Sequence, residues 1–154
     1  MIHLALYQPE IPQNVGTLIR LSSCLDVVLH VIEPCSFVFG DRRIRRSGMD
    51  YINMVDLRRH QDWETFHHWQ QSSGQRLICT TTTSTVCYTD FRFNKDDIIL
   101  MGPESIGLPE NLVAQCDAEL TIPMTPGRRS INVAICAGML LGESIRQNNL
   151  WPES

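Results

Sequence analysis

The chain has 154 residues, room for one compact domain with a full core and little else. Its 43% hydrophobic and 19% charged residues describe an ordinary soluble globular domain rather than a disordered or fibrous chain. The formal net charge of −4 gives no overall field favouring nucleic acid, no apolar run reaches the roughly 18–20 residues that cross a bilayer, and the opening Met1–Tyr7 lacks the basic stretch and cleavage site of a signal peptide.

In chain order, Ile2–Tyr7 is a short apolar strand. Pro9 and Pro12 interrupt the chain before Asn14, a good helix cap, and Val15–Leu25 follows with Val15, Leu18, Ile19 and Leu25 at helical spacing. Val27–Ile32 reads as a buried strand stopped by Pro34. The Arg-rich stretch Asp41–Ser47 forms a short exposed helix that Gly48 ends. Ile52–Leu57 is a weak strand. Asp62 caps an amphipathic helix through about Gln71, with Trp63, Phe66 and His67 inward and Gly74 as terminator. Leu77–Thr82 and Asp97–Met101 are strands, Pro109–Cys116 a short helix, Ala118–Ile122 a last strand, and Ile131–Gln147 a final helix capped by Ser130. This alternation predicts one α/β domain over residues 1–154, with a mostly parallel sheet and helices on both faces.

The final helix is apolar nearly all round from Ile131 to Leu141, so it needs cover on two sides. One side can face the sheet. Ala134, Ala137, Gly138 and Gly142 would let a second helix approach the other, which predicts a homodimer. Six cysteines lie scattered with no CxxC or Cys/His cluster at metal spacing, as expected of free thiols in a reducing cytoplasm, with no metal and no disulfide framework. His60, His67 and His68 lack an acidic or Cys partner at ligand spacing and are expected on a helix face. Twelve of the thirteen basic residues are Arg, and Arg42, Arg43, Arg45 and Arg46 fall within five positions. The planar guanidinium fork suits phosphate, so this patch can bind a polyanion within an acidic protein.

Ligands of open α/β sheets bind beyond the C-terminal ends of the strands, and three polar clusters fall there. The first is Asn14-Val15-Gly16 with Arg20. The second is Gly102-Pro103-Glu104-Ser105-Ile106-Gly107-Leu108-Pro109, a Gly/Pro loop directly after a strand whose main chain could approach a flat ligand. The third runs from Thr121-Ile122-Pro123-Met124 to Ser130-Ile131-Asn132. No dinucleotide fingerprint, Walker loop, zincin or nucleophile-elbow motif is present.

Together, Asn14-x-Gly16-x-x-x-Arg20, Gly102-Pro103-Glu104-x-x-Gly107-Leu108 and Ile122-Pro123-Met124 followed by Ser130-x-Asn132 resemble the SPOUT superfamily of RNA methyltransferases, in its ribose 2′-O-methylating branch. The likeness covers about residues 2–147. In Tyr7–Asn14 and Arg42–Tyr51 it resembles the short single-domain members that act on the wobble nucleotide (C34 or U34) of leucine tRNAs. The resemblance implies a C-terminal trefoil knot, a homodimer whose sites share residues, and S-adenosyl-L-methionine as methyl donor, leaving S-adenosyl-L-homocysteine, with no metal. It implies Thr80, Gly102, Ile122, Met124 and Ser130 as cofactor contacts, and Arg20, Asn14, Glu104 and Asn132 as the catalytic set, with Glu104 orienting Arg20. It further implies that Arg42, Arg43, Arg45 and Arg46 contact the phosphates of a tRNA anticodon stem-loop, and that no membrane is involved. Ile135 and Gly142 depart from the family's pattern, which has Asn and Tyr there. Another tRNA or ribosomal RNA position, or a non-catalytic RNA-binding protein of the same fold, remain alternatives.

Overall fold

A computed structural model describes residues 1–40 and 42–153; Asp41, the first residue of the expected basic helix, and Ser154 lie outside the described residues. The elements run β1 (His3–Tyr7), α1 (Pro12–Cys24), β2 (Val28–Ile32), α2 (Arg42–Gly48), a 3-10 turn (Met49–Tyr51), β3 (Leu57–His60), α3 (Trp63–Ser73), β4 (Leu77–Thr80), β5 (Ile98–Met101), α4 (Glu110–Val113), β6 (Ala118–Leu120) and α5 (Val133–Asn148). The strands form one sheet in the order β3-β2-β1-β5-β4-β6, and every pairing between them is parallel.

Side chains along a strand alternate between the two faces, and here both faces are apolar. Leu4, Leu6, Leu29, Val31, Ile99 and Met101 pack with residues of α1, α2 and α5 on one face. Ala5, Ile32, Leu77, Cys79, Ile98 and Leu100 pack with α3 and α4 on the other. Strands covered on both faces need near-continuous apolar sequence, which is why β1, β2 and β5 were readable as strands. β3 lies at the sheet edge and reads Leu-Arg-Arg-His. The expected strand over 52–57 is therefore displaced: Met54 and Val55 donate their N–H groups to the Tyr51 carbonyl in a turn, and pairing begins only at Leu57.

Two caps also differ from expectation. Asn14 does not cap α1; the helix starts at Pro12, where a missing N–H costs nothing, and Asn14 lies inside it with its side chain turned elsewhere. Ser130 does not cap α5; Asn132 does, accepting from the N–H groups of Ala134 and Ile135. Asp62 caps α3 by accepting from the Thr65 N–H at 2.8 Å, and Gly74 closes it in the left-handed region, as the sequence suggests. Expected on a helix, His60 is instead a buried residue of β3.

α1 and α2 meet through glycine. A Cβ on Gly48 would stand 2.1 Å from the Gly16 carbonyl oxygen, and one on Gly16 2.5 Å from Ser47 Cβ. Gly48 therefore does more than stop α2: with Gly16 it lets the basic helix lie directly on α1. The helices after β1 and β5 leave on opposite faces of the sheet. This divergence opens a crevice at the C-terminal ends of two adjacent strands, the usual ligand position in such sheets.

Candidate active site

The crevice is built by three loops. The turn after β1 runs to the start of α1, the Gly/Pro loop follows β5, and the segment after β6 leads into α5. Glu104, half-buried, joins the first two. Its carboxylate accepts from the Glu10 N–H at 2.8 Å, the Ile11 N–H at 3.2 Å and Asn14 Nδ2 at 3.3 Å. Asn14 Oδ1 in turn accepts from Asn132 Nδ2 at 3.0 Å, while Asn132 Oδ1 holds the start of α5. Residues 14, 104 and 132 thus form one hydrogen-bonded chain across sequence separations of 90 and 118. Ser105 Oγ adds a bond to Glu10 Oε1 at 2.6 Å. Asn14, Gly102 and Glu104 line a small cavity together with Leu6, Pro9 and Val133.

Gly102 has a specific steric role. A Cβ there would lie 2.6 Å from the Leu108 nitrogen and 2.7 Å from the Gly107 carbonyl carbon, so only glycine lets the loop fold back on itself. Gly107 takes φ 68, which glycine adopts without strain. Thr80 stands at the end of β4, between the ends of β5 and β6, its hydroxyl 3.6 Å from Met101 Sδ. Ile122 is buried and Met124 half-buried just beyond β6. Among the described residues, the backbone N–H groups of Gly102, Ile122 and Met124 donate to no protein acceptor. Free main-chain donors beyond the ends of β5 and β6, on either side of the Thr80 hydroxyl at the end of β4 and beside apolar side chains, suit a ligand carrying both a flat ring system and polar edges. Ser130 is exposed in the loop before α5.

Arg20 lies apart from this network. It is exposed on α1, its guanidinium 5.0 Å from the centre of the Tyr51 ring. Glu104 therefore does not orient Arg20 within one chain, because its oxygens are engaged by two backbone N–H groups and Asn14. Six residues along a helix turn a side chain through about 240°, so Asn14 and Arg20 leave α1 in different directions. Arg42, Arg43, Arg45 and Arg46 are all exposed on α2.

Sequence reasoning missed the Glu10 and Ile11 main chain as partners of Glu104 and the Gly16–Gly48 contact. Burial and the nearby Glu33 and Glu104 carboxylates push the Cys35 thiol up to about 11, which leaves it protonated at neutral pH. The glycines were visible as a pair only in retrospect, since nothing in one sequence tells which two glycines will meet.

A family model described as the SpoU rRNA Methylase family matches residues 1–142. The chain belongs to the SpoU methylase family. One relative, named tRNA (cytidine(34)-2′-O)-methyltransferase, from Beijerinckia indica, is 51% identical over 144 residues, covering 94% of this chain and 90% of its own. A solved structure concerned with 2-OH methylation of C/U34 on tRNA superposes with a TM-score of 0.91 at 39% identity, covering 96% of this chain and 95% of its own. An AdoMet-bound rRNA methyltransferase from Sinorhizobium meliloti superposes with a TM-score of 0.86 at 27% identity, over 94% of this chain and 56% of the other. These SpoU methylases share the parallel α/β fold described above.

Proposed function

We infer that the protein transfers a methyl group from S-adenosyl-L-methionine to the 2′-oxygen of the wobble ribose (C34 or U34) of tRNA, leucine tRNAs being the expected substrates. The single observation that carries this reading is the coincidence of the hydrogen-bonded Asn14–Glu104–Asn132 chain with free main-chain donors beyond the ends of β5 and β6. Its support is the near full-length likeness to relatives named for that reaction.

Bound S-adenosyl-L-methionine would supply an activated methyl group on a sulfonium and be left as S-adenosyl-L-homocysteine. Thr80, Gly102, Ile122, Met124 and Ser130 would hold it, mainly through main chain. Glu104, Asn14 and Asn132 fix the three loops against one another, so that the crevice keeps its shape without reorganisation during the reaction. Arg20 meets the target ribose. A guanidinium stays protonated in proteins, so Arg20 stabilises the developing alkoxide and the adjacent phosphate rather than taking the proton, which leaves to phosphate or water.

Arg20 stands exposed and away from Glu104 in one chain, and α5 leaves Ile135 58% exposed with Gly138, Met139 and Gly142 half-buried. Both features support a homodimer in which α5 meets its counterpart and Arg20 of one protomer serves the crevice of the other. β6 is hydrogen-bonded to β4, and Thr121, directly after it, is bonded to Val86 and Tyr88 of the β4–β5 connection. The chain beyond it passes from the α4 face to the α5 face. This arrangement supports a C-terminal trefoil knot. The exposed Arg of α2 would contact phosphates of the anticodon stem-loop, positioning it without reading sequence. No helix of the described residues is long and apolar enough to cross a membrane. A cytoplasmic location is part of the same proposal.

Incubation with S-adenosyl-L-methionine and total tRNA, followed by mass-spectrometric mapping of 2′-O-methyl groups, tests the assignment. Methylation confined to nucleotide 34 is expected. Methyl groups at another tRNA position, or on ribosomal RNA alone, would overturn the substrate. Absence of both methylation and calorimetric cofactor binding would leave an RNA-binding protein of the same fold.

A further inference from the structure

Beside the crevice lies a group of residues that the methyl-transfer reading does not use. The loop after β2 carries Phe37, Val38 and Phe39, with Val38 78% exposed and the two phenyl rings 6.0 Å apart. Arg59, from the edge strand β3, lays its guanidinium over the Phe39 ring at 4.3 Å from the centroid. Glu33, at the start of the same loop, accepts from an Arg59 terminal nitrogen at 2.5 Å. The guanidinium is thus held on two sides, by a ring and by a carboxylate, while about half of the Arg59 side chain, 49%, stays open to solvent.

The loop is fastened to the site. Ser36 Oγ donates to the Glu10 carbonyl at 3.1 Å, and Glu10 is the residue whose N–H Glu104 accepts. The Glu33 N–H donates to the His60 carbonyl at 2.9 Å, fixing the loop's other end to β3. Its C-terminal end leads towards α2 and the exposed Arg42, Arg45 and Arg46. The Phe39–Arg59 pair therefore belongs to a loop that is tied to the candidate crevice at Ser36 and runs on in sequence to a surface suited to phosphate.

Arg59 differs in kind from the α2 arginines. Among the described residues, Arg42, Arg45 and Arg46 form no ion pair, whereas the Arg59 charge is answered by Glu33. A neutralised, flat, oriented guanidinium is a poor phosphate clamp and a good stacking surface, since bases splayed out of RNA loops stack on Arg planes and aromatic rings. We propose that Phe39 and Arg59, held by Glu33, form a stacking platform for an unpaired base of the RNA loop next to the methylated nucleotide, and so place the target ribose. This inference rests on the tRNA methyltransferase reading above and adds to it a positioning contact made with a base rather than a phosphate.

Binding of synthetic anticodon stem-loops, with an abasic nucleotide moved one position at a time through the loop, tests the platform in the full-length protein. The abasic change at one nucleotide flanking the target is expected to weaken wild-type binding by roughly 5- to 160-fold, the range of one base–aromatic stack. The same change should cost Arg59→Lys, which keeps the charge and loses the plane, less than about twofold. Phe39→Leu, which keeps the apolar packing, reads the same coupling should the Arg59 variant fold poorly. Arg45→Ala should lower the slope of log affinity against log salt by about 0.7–0.9, and Arg59→Lys should leave that slope unchanged. Abasic profiles identical in wild type and both variants would overturn the platform while leaving the methyltransferase reading intact. A wild type that neither binds nor methylates the stem-loop would overturn both.

Discussion

Two hydrogen-bonded side-chain chains, one across three strands and one across three loops, differ in what they leave unspent. On the α3 face, His3 Nδ1 and His30 Nε2 lie 2.8 Å apart, and His30 Nδ1 and His60 Nε2 2.9 Å apart. The three rings are buried, and Phe66 and Trp69 of α3 pack against them. At the C-terminal edge, Glu104, Asn14 and Asn132 form the second chain, open to solvent at the Asn132 end and flanked by free main-chain donors. The first chain is a row of buried rings packed under α3, and it is structural. The second ties three loops and leaves neighbouring groups free for a ligand. Hydrogen-bonded side chains alone therefore do not mark a site; unsatisfied donors beside them do.

The contrast can be broken first at Arg20. Arg20→Ala should lower single-turnover methylation by roughly 100- to 1,000-fold, the cost of losing a charge-stabilising donor, with an unchanged melting temperature because the side chain is exposed. Near wild-type turnover would remove Arg20 from the mechanism.

The histidine chain predicts the opposite signature, stability without activity. Each bond in the chain needs one ring nitrogen that accepts, so it is lost once two adjacent rings are both protonated. Burial, and then the Arg58 guanidinium and the N-terminal ammonium, lower His3 to about 4; burial and the flanking His3, His60 and Arg58 lower His30 to about 3; the opposing Asp56 and Asp96 carboxylates do not reverse this. Burial and Arg58 lower His60 as well. The folded values lie below the unfolded one, so the unfolded chain binds more protons between them. Stability from this cluster is therefore complete above about pH 6.5 and is lost as pH falls towards 4. The slope should be roughly 1.4 kcal/mol per pH unit for each histidine titrating. Urea titrations at pH 7 and 4.5 should show it, and a His3→Leu, His30→Leu, His60→Leu triple variant should flatten it. Equal slopes in both proteins would deny the chain its role.

Gly48→Ala sharpens the comparison from the side of the basic helix. The new methyl would meet the Gly16 carbonyl at 2.1 Å. The overpacking should cost about 1–3 kcal/mol and weaken RNA binding by shifting α2, which thermal melts and filter binding would read. Asn132→Ala loses the cap of α5, about 1 kcal/mol of stability. It also releases Asn14, so methylation should fall by more than the stability loss alone explains. A matching loss in both would make Asn132 a cap only.

The sequence by itself determined the α/β alternation, the apolar strands, the Asp62 and Gly74 ends of α3 and the three loop motifs. Those signals are local: they are written in spacing, in turn chemistry and in runs of apolar residues. It misplaced β3, whose edge position removes the apolar run, to residues 52–57, and it did not reveal the start of α1 at Pro12 or the Asn132 cap of α5. Only the tertiary structure decided that Glu104 holds Asn14 and two backbone N–H groups rather than Arg20, that Gly16 meets Gly48, and that three histidines from three strands form one chain. These pairings join residues far apart in sequence through parallel crossovers, and a parallel register is set by how whole elements pack, which no local pattern of side chains encodes.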